Sequence, residues 1–153
     1  MRGKLFSYTP LWRRQGLSVI RIITGFLLFY HGFEVFEAET MKTYLTWDSF
    51  KGYSSPELMV YMGKTAELVA GFLLGIGFIT RLASIVVMGT MLYITFFVGH
   101  GKIWYDDQHP FLFVLLALVF FFNGPGRWSV DYLIFYKKRS GGNNHGTSRR
   151  NTD

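Results

Sequence analysis

The chain has 153 residues, half of them hydrophobic and 19% aromatic, with only 17% charged, against roughly 25% in an average soluble domain. Sixteen Phe and nine Tyr would overfill a water-soluble core of this size, so the rings need lipid or a partner to face. There is no cysteine, which excludes disulfide exchange, thiolate nucleophiles, iron–sulfur clusters and Cys-ligated zinc; any redox role runs through a bound cofactor or another subunit. The formal net charge of +6 is not a nucleic-acid signature, because the basic residues flank apolar runs instead of forming a basic face.

After a short N-terminal segment (1–16), four apolar stretches follow in order: 17–36, 57–77, 82–99 and 109–123. Twenty helical residues cover about 30 Å, the thickness of a hydrocarbon core. The first stretch carries Arg21, His31 and Glu34 and no small-residue cleavage site, so it reads as a retained helix and not a secretory signal. The segment from Glu37 to Pro56 is aromatic and mixed in charge. It reads either as a surface-lying segment, with Tyr44, Trp47, Phe50 and Tyr53 at the headgroups, or as a soluble loop. The third stretch is the cleanest, with no charge in eighteen residues. The fourth is short; Pro110 suits its first turn and Asp106 or Asp107 suits its cap. Residues 137–153 are basic and rich in Gly, Asn and Ser, which predicts a disordered tail. No internal repeat is visible.

Lys and Arg set the orientation. Arg2, Lys4, Arg13, Arg14, Arg81, Arg127, Lys137, Lys138, Arg139, Arg149 and Arg150 fall on one side, and only Lys42, Lys51 and Lys102 on the other. The positive-inside rule places the larger set in the cytoplasm. The predicted architecture is an all-α integral membrane protein, a four-transmembrane-helix bundle over residues 17–136. Both ends lie inside (N-in/C-in), in the bacterial plasma (inner) membrane.

Ionisable side chains inside a span cost about 2.5–3.5 kcal/mol at mid-helix on insertion scales, so each needs a reason. Arg21 lies four residues into the first span and is expected to snorkel to the headgroups. Glu67 sits at the middle of the second, too deep for that, and must face the bundle either paired or protonated. Gly63, Glu67, Ala70, Gly71 and Leu74 share one helix face, and Gly71 and Gly75 form a G-x-x-x-G that admits a close neighbour. Lys64, three residues before Glu67, is within reach of it. If spans one and two are adjacent, His31, Glu34, Lys64 and Glu67 gather in the outer half of the bundle, with His100 and His109 at its mouth. This candidate polar pocket has two readings. It is a buried network that fixes packing, or it lines an outward-opening pocket for a proton, a quinone headgroup or another small polar molecule. The histidine spacing matches no ligand pattern, so no metal site is predicted.

Four elements in order carry a family resemblance. Arg21 opens the first helix through Ile22-Ile23-Thr24-Gly25 and His31-Gly32 ends it. Glu67 precedes Gly71, Gly75 and Gly77. Thr80-Arg81-Leu82-Ala83 makes a turn, and Gly124-Pro125-Gly126-Arg127-Trp128-Ser129-Val130-Asp131 closes the fourth span. In this pattern, over about residues 17 to 135, the chain resembles the DoxX family of small bacterial membrane proteins. It departs from the family's H-G-x-x-K, reading His31-Gly32-Phe33-Glu34-Val35, with Lys64 as the candidate replacement. The family is named for its likeness to a subunit of an archaeal thiosulfate:quinone oxidoreductase, and some members look like membrane anchors for redox enzymes.

The closing motif has its own reading: Gly124, Pro125 and Gly126 break the helix. Asp131 could then pair with Arg127, Arg81 or Arg21 in a cytoplasmic clasp. The leading functional expectation is a non-catalytic or cofactor-dependent subunit of a membrane redox system that binds quinone or a partner, with Glu67 and His31 as candidate proton-handling groups. Its expected partners are the lipid bilayer, a redox enzyme or further copies of itself, and no nucleic acid. The alternative is an assembly scaffold without redox chemistry, and a small-solute permease is the third. No reaction is assigned to the chain itself.

Overall fold

The computed structural model describes residues 12–141, all helix and connections with no strand among them. Six α-helices follow in order: α1 Arg13–Phe33, α2 Ala38–Leu45, α3 Pro56–Ile76, α4 Thr80–Tyr93, α5 Gln108–Asn123 and α6 Val130–Gly141. A π-helical turn, Ile94–Val98, continues α4, and single 3₁₀ turns lie at Glu34–Phe36 and Asp48–Phe50. Three helical stretches are long and apolar enough to cross a membrane: Arg14–Phe36, Pro56–Ile76 and Thr80–Val98. The fourth apolar helix, α5, has 16 residues, about 24 Å at helical rise.

Each of these helices follows from its sequence. Pro56 occupies the first turn of α3, where its missing N–H costs nothing. Gly77, at φ 71, ends that helix in the left-handed conformation, its N–H reaching back to Leu73 and Leu74. On α4, Thr80, Ala83, Ser84, Val87 and Met91 are buried, a three-and-four spacing that marks one inward stripe. With Leu28, Ala70, Leu74, Phe113, Val114, Ala117 and Phe120 the apolar members of that stripe form the core. The outward faces are just as apolar: Ile23, Phe26, Phe72, Leu82 and Phe122 are exposed, the last at 72%. A helix bundle greasy on both faces belongs in lipid.

Helices α1 and α3 lie antiparallel with their backbones in close approach. A Cβ on Gly25 would strike the backbone of Gly75 and Gly71, one on Gly32 that of Leu68 and Glu67, and one on Gly71 that of Phe29. Gly71 thus packs as its sequence pattern predicted, and the partner glycines on α1 complete the contact. Gly63, placed on the same face by spacing, meets nothing. Gly25→Leu is therefore expected to destabilise the bundle by about 3 kcal/mol, the upper end for overpacking because backbone must move. Gly63→Ala should leave stability unchanged; thermal unfolding in detergent micelles reads both.

The connections fall at two ends. Residues 34–55 and 99–107 lie at one, where Ser49 Oγ donates to the Val98 carbonyl; this is the loop end. The turn at 77–79 and the break at 124–129 lie at the other, the turn end, where the Asp131 N–H donates to the Gly77 carbonyl at 2.9 Å. The 34–55 segment differs from its surface-lying reading. Phe50 and Met41 are buried with Val60 in a small second core, so Phe50 turns inward and not toward headgroups. At the other boundary, α6 runs on to Gly141, five residues into the stretch predicted to be disordered. Residues 142–153 of that tail, and 1–11 of the N-terminal segment, lie outside the described residues.

Candidate functional site

At the loop end, α1, the turn after it and α3 bring four polar side chains into one group. Lys64 Nζ lies 2.8 Å from Glu34 Oε2 and 3.2 Å from Glu67 Oε2. His31 Nδ1 is 3.6 Å from Glu34 Oε1. Lys64 also reaches the His31 carbonyl at 3.4 Å. Gly32 creates this geometry, since only a residue without a side chain lets α1 pass so near Glu67. One ammonium therefore serves two carboxylates that sit where lone charges are expensive.

One member was not legible as such in the sequence, and one of the two expected imidazoles joins the group. Tyr44, read as a headgroup residue, instead donates its hydroxyl to Glu34 Oε2 at 2.5 Å, and its ring lies 4.8 Å from Lys64 Nζ, within cation–π range. Burial and the bond to Glu34 push the Tyr44 phenol above its usual value. Helix α2 supplies this residue from above the group, and only the fold of the 34–50 segment could reveal it. His109, at the start of α5, sets its ring edge-on to His31 with centroids 5.7 Å apart, and Phe113 packs on its far side at 5.1 Å. His100 stays apart with an exposed side chain; its backbone N–H donates to Asp107 at 2.9 Å. Asp107 stands at the cap position of α5 but makes no side-chain cap bond there. Its carboxylate accepts from His100 and Lys102 and closes the loop before α5.

At the turn end the structure departs from the expected snorkelling arginine. Arg21 is fully buried. Its Nε donates to the Pro125 carbonyl at 2.8 Å, Nη1 to those of Leu74 and Gly75, and Nη2 to that of Trp128 at 2.5 Å. Leu74 and Gly75 lie in the last turn of α3, where carbonyls are short of helical partners, that of Leu74 keeping only the Gly77 N–H at 3.2 Å, and carry the negative end of the dipole. A planar five-donor fork meets that need better than headgroups would.

Asp131 forms no ion pair with Arg127, Arg81 or Arg21 among the described residues. Its two oxygens accept from the backbone N–H groups of Ile79 at 2.8 Å and Thr80 at 2.9 Å, holding the start of α4. The residue just before α4, Ile79, stands at φ 43, a conformation unusual for a β-branched residue. Arg81 and Arg127 are exposed. Ser18 adds a further tie, accepting from the Trp128 N–H at 3.1 Å. The clasp thus joins side chains to backbone ends.

A groove of about 500 Å³ also opens between α3 and α4, with Ala70 and Ala83 buried in it. It is apolar and shares no residue with the polar group. No curated protein and no solved structure matches the chain. The DoxX family model matches residues 16–100, from the start of α1 through α4 to the loop that follows. It therefore includes the whole His31–Glu34–Lys64–Glu67 group and Arg21, and leaves α5 and the closing motif beyond it. With more than half its length matched, this chain belongs to the DoxX family.

Proposed function

We propose that this protein crosses the plasma membrane four times, N-in/C-in, with residues 17–136 as its membrane domain. In this reading the loop end faces outward. The lopsided Lys and Arg count supports the orientation. The fourth crossing draws on contacts at both ends of α5. His109 meets His31 near one end of α1, and Pro125, just past α5, meets Arg21 near the other. All four tryptophans, Trp12, Trp47, Trp104 and Trp128, are exposed beside the helix ends, as interfacial belts require.

Within that topology, we infer a non-catalytic, cofactor-dependent subunit of a quinone-linked membrane redox system. The observation carrying this is the pair of carboxylates, buried Glu67 and partly buried Glu34, that share Lys64 beneath two imidazoles. A quinone headgroup needs hydrogen-bond donors for its carbonyl oxygens and a flat aromatic surround. His31 and His109, flanked by Tyr30 and Phe113, fit both needs. A bound quinone would supply electron and proton exchange with its redox partner. The chain's own residues would hold the headgroup at the imidazoles and keep a proton on the carboxylate side. Saturable binding of a quinone analogue to the reconstituted protein is the expected result, weakened about tenfold or more by His31→Ala and by Glu67→Gln. Absence of saturable binding in the unaltered protein sinks this reading.

One feature favours the scaffold reading in its place. Leu133, Ile134 and Phe135 are all exposed on α6, a surface suited to a partner chain. Co-purification in mild detergent discriminates: a stoichiometric partner with no lipid-like cofactor supports the scaffold.

A further inference from the structure

The polar groups of the loop end are graded by depth. His109 is exposed at the first turn of α5. The His31 side chain is 42% exposed and that of Glu34 22%, falling to 14% for Lys64 and 5% for Glu67. Successive members touch or nearly touch. The imidazole rings lie edge-on at 5.7 Å. His31 Nδ1 is then 3.6 Å from Glu34, Glu34 is 2.8 Å from Lys64, and Lys64 is 3.2 Å from Glu67. A purely structural ion pair needs no such series, and no imidazole at the mouth.

We propose that His109 and His31 are the entrance of a proton path that leads through Glu34 and Lys64 to Glu67. This deepens the quinone-linked reading by giving its site a proton source. With neutral imidazoles, two carboxylates and one ammonium leave one net negative charge in a medium of low dielectric, and one added proton cancels it. The transfer balances without any oxidant or reductant. An imidazolium N–H bond of His31 breaks as an O–H bond forms on Glu34. Lys64 then gives one N–H proton to Glu67 and takes the Glu34 proton, ending as the ammonium it began. Tyr44, whose hydroxyl is donated to Glu34, holds that carboxylate in line. The titratable groups facing this route are His31, Glu34 and Tyr30 from α1 and the turn after it, Tyr44 from α2, Lys64 and Glu67 from α3, and His109 from α5.

The test needs no quinone. In the full-length protein reconstituted in vesicles, rapid-scan infrared spectroscopy after a pH jump follows protonation of Glu67, its band identified by loss in Glu67→Gln. His31→Ala is expected to slow this protonation about tenfold or more, the low end of what a positioned acid–base group contributes, and His109→Ala severalfold. Added imidazole should restore the rate in His31→Ala, which a structural role would not permit. Protonation at the unaltered rate in His31→Ala, slowing without imidazole rescue, or a Glu67 band that does not respond to the jump overturns the proposal. Quinone binding lost with the proton path intact counts against the functional reading alone; the converse counts against this path alone.

Discussion

Arg21→Leu is expected to lower the stability of the bundle by about 4 kcal/mol, because four carbonyls, that of Leu74 buried and the others partly buried, lose a charged donor at once. Each bond to a charged group contributes about 1.5–3 kcal/mol, and a stranded acceptor about 1–3 kcal/mol; shared geometry keeps the total below the sum. For a chain of this length that corresponds to roughly 10 °C in thermal midpoint. Arg21→Lys should recover only part of it, since a compact ammonium cannot span four acceptors on two chain segments. The effect has a local origin: Arg21 ties the end of α3 to the Pro125–Trp128 break. Thermal unfolding in detergent checks it, and an unchanged midpoint for Arg21→Leu would show the guanidinium bonds to be dispensable.

Lys64→Met should cost a comparable amount, about 3–5 kcal/mol, by leaving Glu34 and Glu67 without their common cation. The sharper expectation concerns the pair. Adding Glu67→Gln to Lys64→Met removes one of the stranded charges and should recover more than half the loss, so the two substitutions are strongly non-additive. Simple additivity in the double-variant cycle would mean that Lys64 and Glu67 do not interact energetically despite their 3.2 Å separation.

Much of the membrane character was legible before any coordinates. Apolar run lengths mark the long helices, and the same runs, greasy all round, explain the exposed faces of Phe26 and Phe122. The depth of Glu67 in its run is enough to demand a partner, and helix periodicity nominates Lys64. Glycine at positions 71 and 75 announces a close neighbour because a small residue inside a span has few other uses. The neighbour's identity depends on Gly25 and Gly32, whose spacing of seven matches two turns of α1.

Other features depended on three-dimensional contact. Arg21 has the same identity and depth whether it reaches headgroups or carbonyls; helix ends expose backbone acceptors that no residue type advertises. Asp131 and Asp107 likewise spend their carboxylates on backbone N–H groups far along the chain or around a loop. Tyr44 joins the polar group because α2 folds back over α3 and the turn that follows α1. Residue chemistry and hydrophobic period by themselves determined which segments are membrane-like and which charges need company. Tertiary structure decided the company, because hydrogen bonds to freed backbone groups and contacts between distant segments depend on position in space and leave no period in the sequence.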